Sequence, residues 1–482
     1  MSRYAGGAVA VLLGLAVLFW SHDFVGAPYV SNDSVQYLDA AAHLAAGDCF
    51  CTTVAHFDEQ IAVGHIPVPF MHFAPGYPLL IAGLSRLGLA PETAGYLISA
   101  FSYLLTIALF WYIGTTLGAH PWALGSLCLL WIANSIAILM ASFVATEALF
   151  TAIFLGLAAL MVADSKTETS RPWILVAIGI IGGAAYWVRF AGIFVVPVAV
   201  LYLVWRWWTR RRTLAPVLLG LAAAGGECLA VMIRNSLVTG TWRGGFSNNK
   251  GHSGQFILGE SARALYHLPF GDRAVAHLDV WAIAFAGTFA AAGVLAVIAW
   301  RGGRRAELPS SFSLSVSWLG VLAGVYVAGL IYAVRNSVAS DLARFFIPVY
   351  ALVLVVAAAA SLARKTMENI ILSVLVLTVL AIQARSLLTR PAIPLIASVS
   401  RVFKEEVEPG ISVQRWLSGH VSPKDVVIAT NGQAVHYVLQ RPVVAVIDPD
   451  ATTRRIDEAG FHALMAQYRA RYMVLFLSLI HI

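Results

Sequence analysis

The stretch that decides the fold is Ser31-Asn-Asp33-Ser-Val-Gln-Tyr37-Leu-Asp39-Ala-Ala-Ala-His43-Leu-Ala-Ala-Gly47. It lies between an apolar run, Ala5 to Trp20, and a second polar stretch that ends at Pro75-Gly76-Tyr77-Pro78. Its small residues predict a helix beginning near Ser34 and closed by Gly47, because glycine takes the left-handed conformation that ends helices. Asp33 stands at the head of that helix, a place where aspartate is a favoured cap. Tyr37 is expected to pack at the interface. Asp39 lies six residues on, almost two turns away, and is expected to face solvent from another side of the helix. Ser21 to Gly76 thus reads as one long polar loop between two apolar regions, carrying Asp23, Asp33, Asp39, Asp48, Asp58 and Glu59.

Outward from that loop the chain is apolar. Over 482 residues, 59% are hydrophobic and 12% charged, and the mean hydropathy is +0.77. That leaves too little polar surface for several soluble domains. Runs long enough to cross the ~30 Å hydrocarbon layer recur from Ala5 to Ser386, and unpaired backbone groups are costly in lipid, so they read as helices. The net charge of +7, from 32 Lys+Arg against 25 Asp+Glu, does not indicate nucleic acid. The basic residues fall in short clusters between apolar runs: Arg3, Arg206 to Arg212, Arg301/Arg304/Arg305 and Arg364-Lys365. Under the positive-inside rule these mark cytoplasmic ends, which puts the N-terminus inside and the first loop outside. The first run lacks a small-x-small cleavage pattern directly behind it and precedes many further spans, so it reads as an uncleaved anchor. Four cysteines, Cys49, Cys51, Cys128 and Cys228, are too few for a disulfide framework. Cys49 and Cys51 share the external loop, where they are either oxidised or incidental.

Apolar stretches follow the loop at 77–90, 94–118, 121–141, 144–163, 173–189 and 190–208. Six crossings from an external loop would leave the Arg206 cluster outside, against the charge rule, so one segment is expected to be re-entrant or merged with its neighbour. Further spans are expected at 214–235, 279–300, 312–334, 345–362 and 369–388, with external loops at 236–278 and 335–344. The total is about 11–13 transmembrane helices over residues 1–389, with the first external loop at 21–76. From 390 to 482 the composition becomes that of a soluble domain. Val426 to Thr430, Val443 to Ile447 and Tyr472 to Leu475 read as strands, with helices at 411–420, 432–439 and 453–469, which predicts a small extracytoplasmic α/β unit. The last residues, Leu477 to Ile482, look like translated sequencing-adapter sequence, and the end is read as truncated or artefactual. Neither GxxxxGK[ST], GxGxxG, HExxH nor paired CxxC is present.

An acid before Tyr-Leu, a small-residue helix ending in Gly47, and the Pro75-Gly76-Tyr77-Pro78 entry to the next helix together resemble the GT-C glycosyltransferases. The likeness is to the bacterial branch related to protein O-mannosyltransferases and lipid A aminoarabinose transferases, and it runs over most of the membrane region as short, spaced motifs. It implies an all-α polytopic GT-C fold with a small C-terminal α/β domain. It also implies a catalytic acid in the first loop, matched here by Asp33, and a polyprenyl-phosphate sugar as donor. A carboxylate within reach of an acceptor hydroxyl can take its proton as the oxygen attacks. The other reading of Asp33 is a helix cap. Many relatives carry a second acid directly afterwards, where this chain has Ser34, so the centre is expected to hold one evident acid.

Cationic partners for a lipid phosphate are sought among arginines in or beside apolar runs, where an ionised side chain signals function. Arg189 in Tyr-Trp-Val-Arg-Phe-Ala-Gly, Arg234 in Ile-Arg-Asn-Ser and Arg344 in Leu-Ala-Arg-Phe-Phe-Ile-Pro resemble recurrent motifs of this branch. Arg234 and Arg344 either contact phosphate or snorkel at helix ends. Glu147, a lone acid in an apolar region, is expected either to pair with one of these arginines or to stand in a helix-start arrangement with Thr146. Tyr77 and His72 complete the candidate substrate-binding set. His56, Asp58, Glu59, His65 and His72 offer metal-ligand chemistry in a spacing that is not diagnostic, so no metal site is assigned; a divalent metal remains compatible and no cofactor is required. The loop Gly244 to His252 has groups suited to sugar hydroxyls. The expected enzyme is a hexosyl- or pentosyltransferase, inverting by resemblance, working at the outer face of a bacterial inner membrane. Its acceptor is a lipid, glycan or protein. A transporter or flippase of a lipid-linked glycan is the second reading, without visible inverted repeats to support it. A third is a non-catalytic subunit that keeps the fold.

Overall fold

The computed structural model describes residues 3–25, 27–56, 64–167, 171–210, 214–242, 310–335, 343–360, 419–429, 432–446 and 458–474, with single positions 253, 257, 259, 261 and 268. The expected spans at 279–300 and 369–388 and the loop residues Gly244 to His252 lie outside them. So do Asp58, Glu59, the helix residues 411–418 and the terminal Leu477 to Ile482.

Apolar sequence becomes helix wherever the runs are long. After α1 (Arg3–Val25) come α2 (Asn32–Ala46), α3 (Gly76–Arg86), α4 (Pro91–Leu117), α5 (Pro121–Ile132), α6 (Ser135–Ser142), α7 (Thr146–Lys166) and α8 (Pro172–Val188). A 3-10 turn at Phe190–Phe194 leads into α9 (Val196–Arg210), then α10 (Leu214–Thr239), α11 (Ser310–Arg335) and α12 (Ala343–Ala360). Proline opens α4, α5 and α8 at the first helical position, where its missing N–H has no intrahelical partner to lose. Among the described residues six helices are long and apolar enough to cross a membrane: α1, α4, α7, the 3-10 turn with α9, α10 and α11. The pair α5–α6, bent by 54°, makes a seventh if taken as one span, and α8 and α12 are shorter apolar helices.

Among the stretches read as crossings in the first half, 77–90 is too short to span. There α3 has only 11 residues, about 16 Å at 1.5 Å per residue, half of what the hydrocarbon layer requires. It ends in a glycine turn at Gly88, φ +96°, and packs on α2 and α4 beside the first loop. Arg206 is fully buried. It ion-pairs with Asp164 of α7, and Tyr202 donates to the same carboxylate at 2.9 Å. A position read as marking a cytoplasmic end is therefore a clamp between α7 and α9.

The largest apolar core runs between α4, α7, α11 and α12, with Phe150, Phe154 and Tyr326 stacked at its centre. Over one end lies a four-stranded parallel sheet. Its strands are β2 (Val54–His56), β4 (Val427–Ala429), β5 (Val443–Ala445) and β6 (Tyr472–Val474), in the order β2-β5-β4-β6. Helices Gly432–Leu439 and Glu458–Tyr468 make the crossovers that parallel strands need. The strand and helix positions match the expected α/β unit. One strand was not expected: β2 comes from the first loop and pairs with β5, Val54 opposite Val443. A short antiparallel pair, β1 (Cys51–Thr52) with β3 (Val68–Pro69), folds the rest of the loop, and a disulfide joins Cys49 to Cys51.

Candidate active site

The head of α2 is built by serines. Ser31 is the N-cap, accepting from the Ser34 N–H, while the Ser34 hydroxyl accepts from the Ser31 N–H at 2.9 Å, a reciprocal box. Ser34 is thus a buried structural group. Asp33 is not the cap. It sits one residue earlier than Ser34 in the first turn, and its side chain points elsewhere, its Oδ2 3.0 Å from Nη1 of Arg344. Gly47 closes the helix at φ +83°. The guanidinium of Arg86 at the end of α3 donates there from Nε to the Ala45 carbonyl and from Nη2 to the Leu44 carbonyl.

Arg344 lies in the first turn of α12 and faces two acids. Beyond Asp33 it approaches Glu147 at 3.7 Å. Glu147, in the first turn of α7 and 5% exposed, is held at 2.8 Å by Arg189. Arg189 also donates to the Thr146 hydroxyl at 3.2 Å and lies over the Phe345 ring. The backbone presents Arg189 because α8 stops there in an extended residue before the 3-10 turn. That turn lies so close to α8 that a Cβ on Gly192 would meet the Ala185 carbonyl at 2.2 Å. The result is an alternating row: Asp33, Arg344, Glu147, Arg189. Glu147 pairs with two arginines, and Thr146 serves Arg189. The pairs differ in exposure, Asp33 and Arg344 being about one-third exposed and Glu147 and Arg189 nearly enclosed. An incoming anion can therefore reach Arg344, while Glu147 and Arg189 fix its position from behind.

The other candidates support this row from outside it. Arg234, at the end of α10, donates to the Phe70 carbonyl and stacks on Phe50, its guanidinium carbon 4.4 Å from the ring centroid. Tyr77 is fully buried; its hydroxyl donates to the Gly95 carbonyl at 2.9 Å and meets Ser99, which ties α3 to α4. Gly76 precedes it because a Cβ there would stand 2.7 Å from the Trp187 carbonyl. Tyr37 packs with Phe73 and Tyr77 in the same aromatic patch. His72 stands edge-on to His56, 4.2 Å between ring centroids. Burial, and then the neighbouring His72, push the His56 imidazole well below its usual range, so it is neutral at pH 7. Among the described residues the one three-group cluster with ligand-like spacing is His43, Cys49 and Cys51, and the disulfide occupies both sulfurs.

Asp39 differs most from its reading as a solvated residue. It is 10% exposed and accepts from the Thr52 hydroxyl at 2.7 Å, the Thr53 N–H at 2.6 Å and the Thr53 hydroxyl at 2.9 Å. On its other side stands His436 of the C-terminal unit, Nε2 at 3.3 Å. Burial alone raises the Asp39 carboxyl, but the hydrogen bond and charge of His436, helped by both threonines, bring it down to about 2. His436 was missed because nothing local in Ala-Val-His-Tyr marks it. The signal available was a histidine in a predicted helix of a unit that must dock somewhere.

A helical membrane body with a small α/β unit is the architecture of the GT-C class of fold. The chain has that fold. It is similar to two crystal structures of ArnT from Cupriavidus metallidurans, one bound to undecaprenyl phosphate and one in the apo state. The first aligns at 16% identity and a TM-score of 0.58, over 97% of this chain and 89% of that one. The second aligns at 15% identity and a TM-score of 0.59, over 98% and 89%. No protein-family model matches the chain, and no curated protein sequence matches it.

Proposed function

We propose that the chain is a glycosyltransferase that moves a sugar from a polyprenyl-phosphate donor to a hydroxyl-bearing lipid, glycan or protein acceptor. The observation that carries the reading is the row Asp33–Arg344–Glu147–Arg189 at the mouth of a GT-C membrane body. It sets one carboxylate beside a cation that an anionic headgroup can reach. That a solved protein of this fold binds undecaprenyl phosphate supports the donor class.

In the reaction the donor phosphate engages Arg344, with Arg189 and Glu147 behind it. Asp33 takes the proton of the acceptor hydroxyl as its oxygen forms a bond to the anomeric carbon. The bond from that carbon to the phosphate oxygen breaks, its electron pair stays on the lipid phosphate, and the arginines meet the charge that develops there. Attack opposite the leaving group inverts the anomeric centre. The sugar transferred is a hexose or pentose. The site faces the outside of a bacterial inner membrane, a placement supported by the basic N-terminal Arg3 and by the basic clusters that fall between apolar runs.

The test uses the purified chain in lipid nanodiscs, with radiolabelled polyprenyl-phosphate sugars as donors and a membrane extract as acceptor source. Label is expected to leave the donor and appear in an acceptor fraction. Movement of intact donor across vesicle membranes, with no cleavage of its phosphate bond, would establish the carrier reading instead. Loss of transfer on thorough chelation would add a divalent metal to the mechanism.

A further inference from the structure

Among the described residues, the helix Gly432–Leu439 and strand β5 reach α2, α4 and the first loop through side-chain and backbone contacts. His436 faces Asp39 in the middle of α2 at 3.3 Å. Tyr437 donates to Glu92 in the first turn of α4 at 2.8 Å. The Val443 N–H donates to the Thr53 carbonyl at 3.0 Å, at the start of the β2–β5 ladder. The imidazole is oriented, since its other nitrogen stands 2.7 Å from the Arg441 carbonyl and one N–H on each side suits both acceptors. His43 is the remaining titratable neighbour of Asp39, at 3.9 Å, and it is itself 3.5 Å from Asp48.

We propose that Asp39 and His436 form a latch through which the C-terminal α/β unit positions α2, and with it the Asp33 carboxylate, for transfer; this rests on the transferase reading. Asp33 and Asp39 are six residues apart on one helix, so the latch is about 9 Å along the axis from the reacting carboxylate. A helix transmits a shift over that distance with little bending. The head of α2 has its own box, Ser31 with Ser34, and its tail is held by Arg86. Rotation about the axis is fixed by contacts from the side: the Tyr37 packing, Gln36 with His56 at 3.0 Å, and the Asp39 contacts with Thr52, Thr53 and His436. His436 touches no group that contacts the donor, and so it is a positioning residue.

The test compares His436→Ala with His436→Gln, whose amide can still donate to Asp39. Each is measured in nanodiscs for kcat, for KM toward the polyprenyl-phosphate donor, and for hydrogen exchange of peptides covering α2. His436→Ala is expected to lower kcat roughly 10-fold, since small misplacement of a reacting group is costly, while donor KM moves by less than about twofold. Exchange in the first turns of α2 should quicken, and His436→Gln should restore most of both. Unchanged α2 exchange in His436→Ala overturns the latch, whatever the activity. Faster exchange with unchanged kcat overturns the positioning role. A wild type inactive with every donor defeats the transferase reading, and with it the link from the latch to catalysis; the exchange result still decides whether the latch exists.

Discussion

Removing Glu147 should expose how strongly the ion-paired row holds the membrane body together. In Glu147→Gln the Arg189 guanidinium, 12% exposed, keeps an amide oxygen but loses the negative charge that stood 2.8 Å away, leaving the Thr146 hydroxyl at 3.2 Å and the Phe345 ring at 4.3 Å as its neutral neighbours. Arg344 loses its second acid at 3.7 Å. Two acids facing two arginines become one acid facing two, which leaves an uncompensated charge where little water reaches. Breaking one side of a buried pair costs about 3–5 kcal/mol. Because Arg189 retains some exposure and Asp33 still neutralises Arg344, the lower end, about 3 kcal/mol, is expected. The free thiols of Cys128 and Cys228 are both buried, so a thiol-reactive fluorophore reports unfolding as they become accessible on heating. Glu147→Gln should shift that transition well below the wild type. The pair Glu147→Leu with Arg189→Met, which removes both charges, should recover most of the stability, as apolar replacement of a buried pair is near neutral, while transfer stays lost. If Glu147→Gln melts with the wild type, the row contributes nothing to the fold and the charge argument fails.

Asp33→Asn keeps an acceptor oxygen for Arg344 in a pair that is about one-third exposed, where ion pairs are worth at most about 1 kcal/mol, so the melting transition should stay put. Transfer should fall by about 10²–10⁴, the usual contribution of a general base, and equal transfer by the two proteins removes Asp33 from that role. Docking of the C-terminal unit should depend on pH through its latch. His436 is lowered by burial but raised further by Asp39 and the Arg441 carbonyl, so its folded value lies above 6.5. Its contribution is therefore complete below 6.5 and lost as pH rises through the folded value. Asp39, brought down to about 2 from 3.8, contributes above 3.8 and loses its contribution only as pH falls through about 2. Protease resistance of the C-terminal unit should accordingly decline on the alkaline side, and a flat profile from pH 5 to 9 contradicts this. Gly76→Ala places a methyl against the Trp187 backbone, which cannot yield without moving α8. It should cost about 1–3 kcal/mol of stability, and a wild-type melting curve would show that α3 has room to withdraw.

The membrane class, the first loop and the small α/β unit were legible because hydropathy and short β-branched runs between helical stretches are local signals. The count of crossings was not, since 77–90 has the composition of a span, and only the glycine turn at Gly88 and the proline opening α4 cut it short. The row was half legible. A charge in an apolar run announces itself, which singled out Glu147, Arg189 and Arg344, but nothing in the sequence says that Arg344 meets an acid 311 positions away. Arg234 carries the same signal and is used differently, against Phe50 and Phe70 of the loop. Asp39 was misread for a related reason. Helical periodicity places it on a face away from Asp33, and without knowing that Thr52, Thr53 and His436 cover that face, solvent is the default.

The shared sheet fixes an order of assembly. Strand β2 has a single neighbour, β5, and the two are separated by almost 390 residues of chain. At roughly 5–20 residues per second of synthesis, the first loop must wait tens of seconds, through the insertion of every later span, before its edge strand finds a partner. A chain halted anywhere before Val443 therefore presents a membrane body with an unpaired strand and an unlatched α2. A segment made late completes one made early, so the finished site also certifies that synthesis has passed Val443.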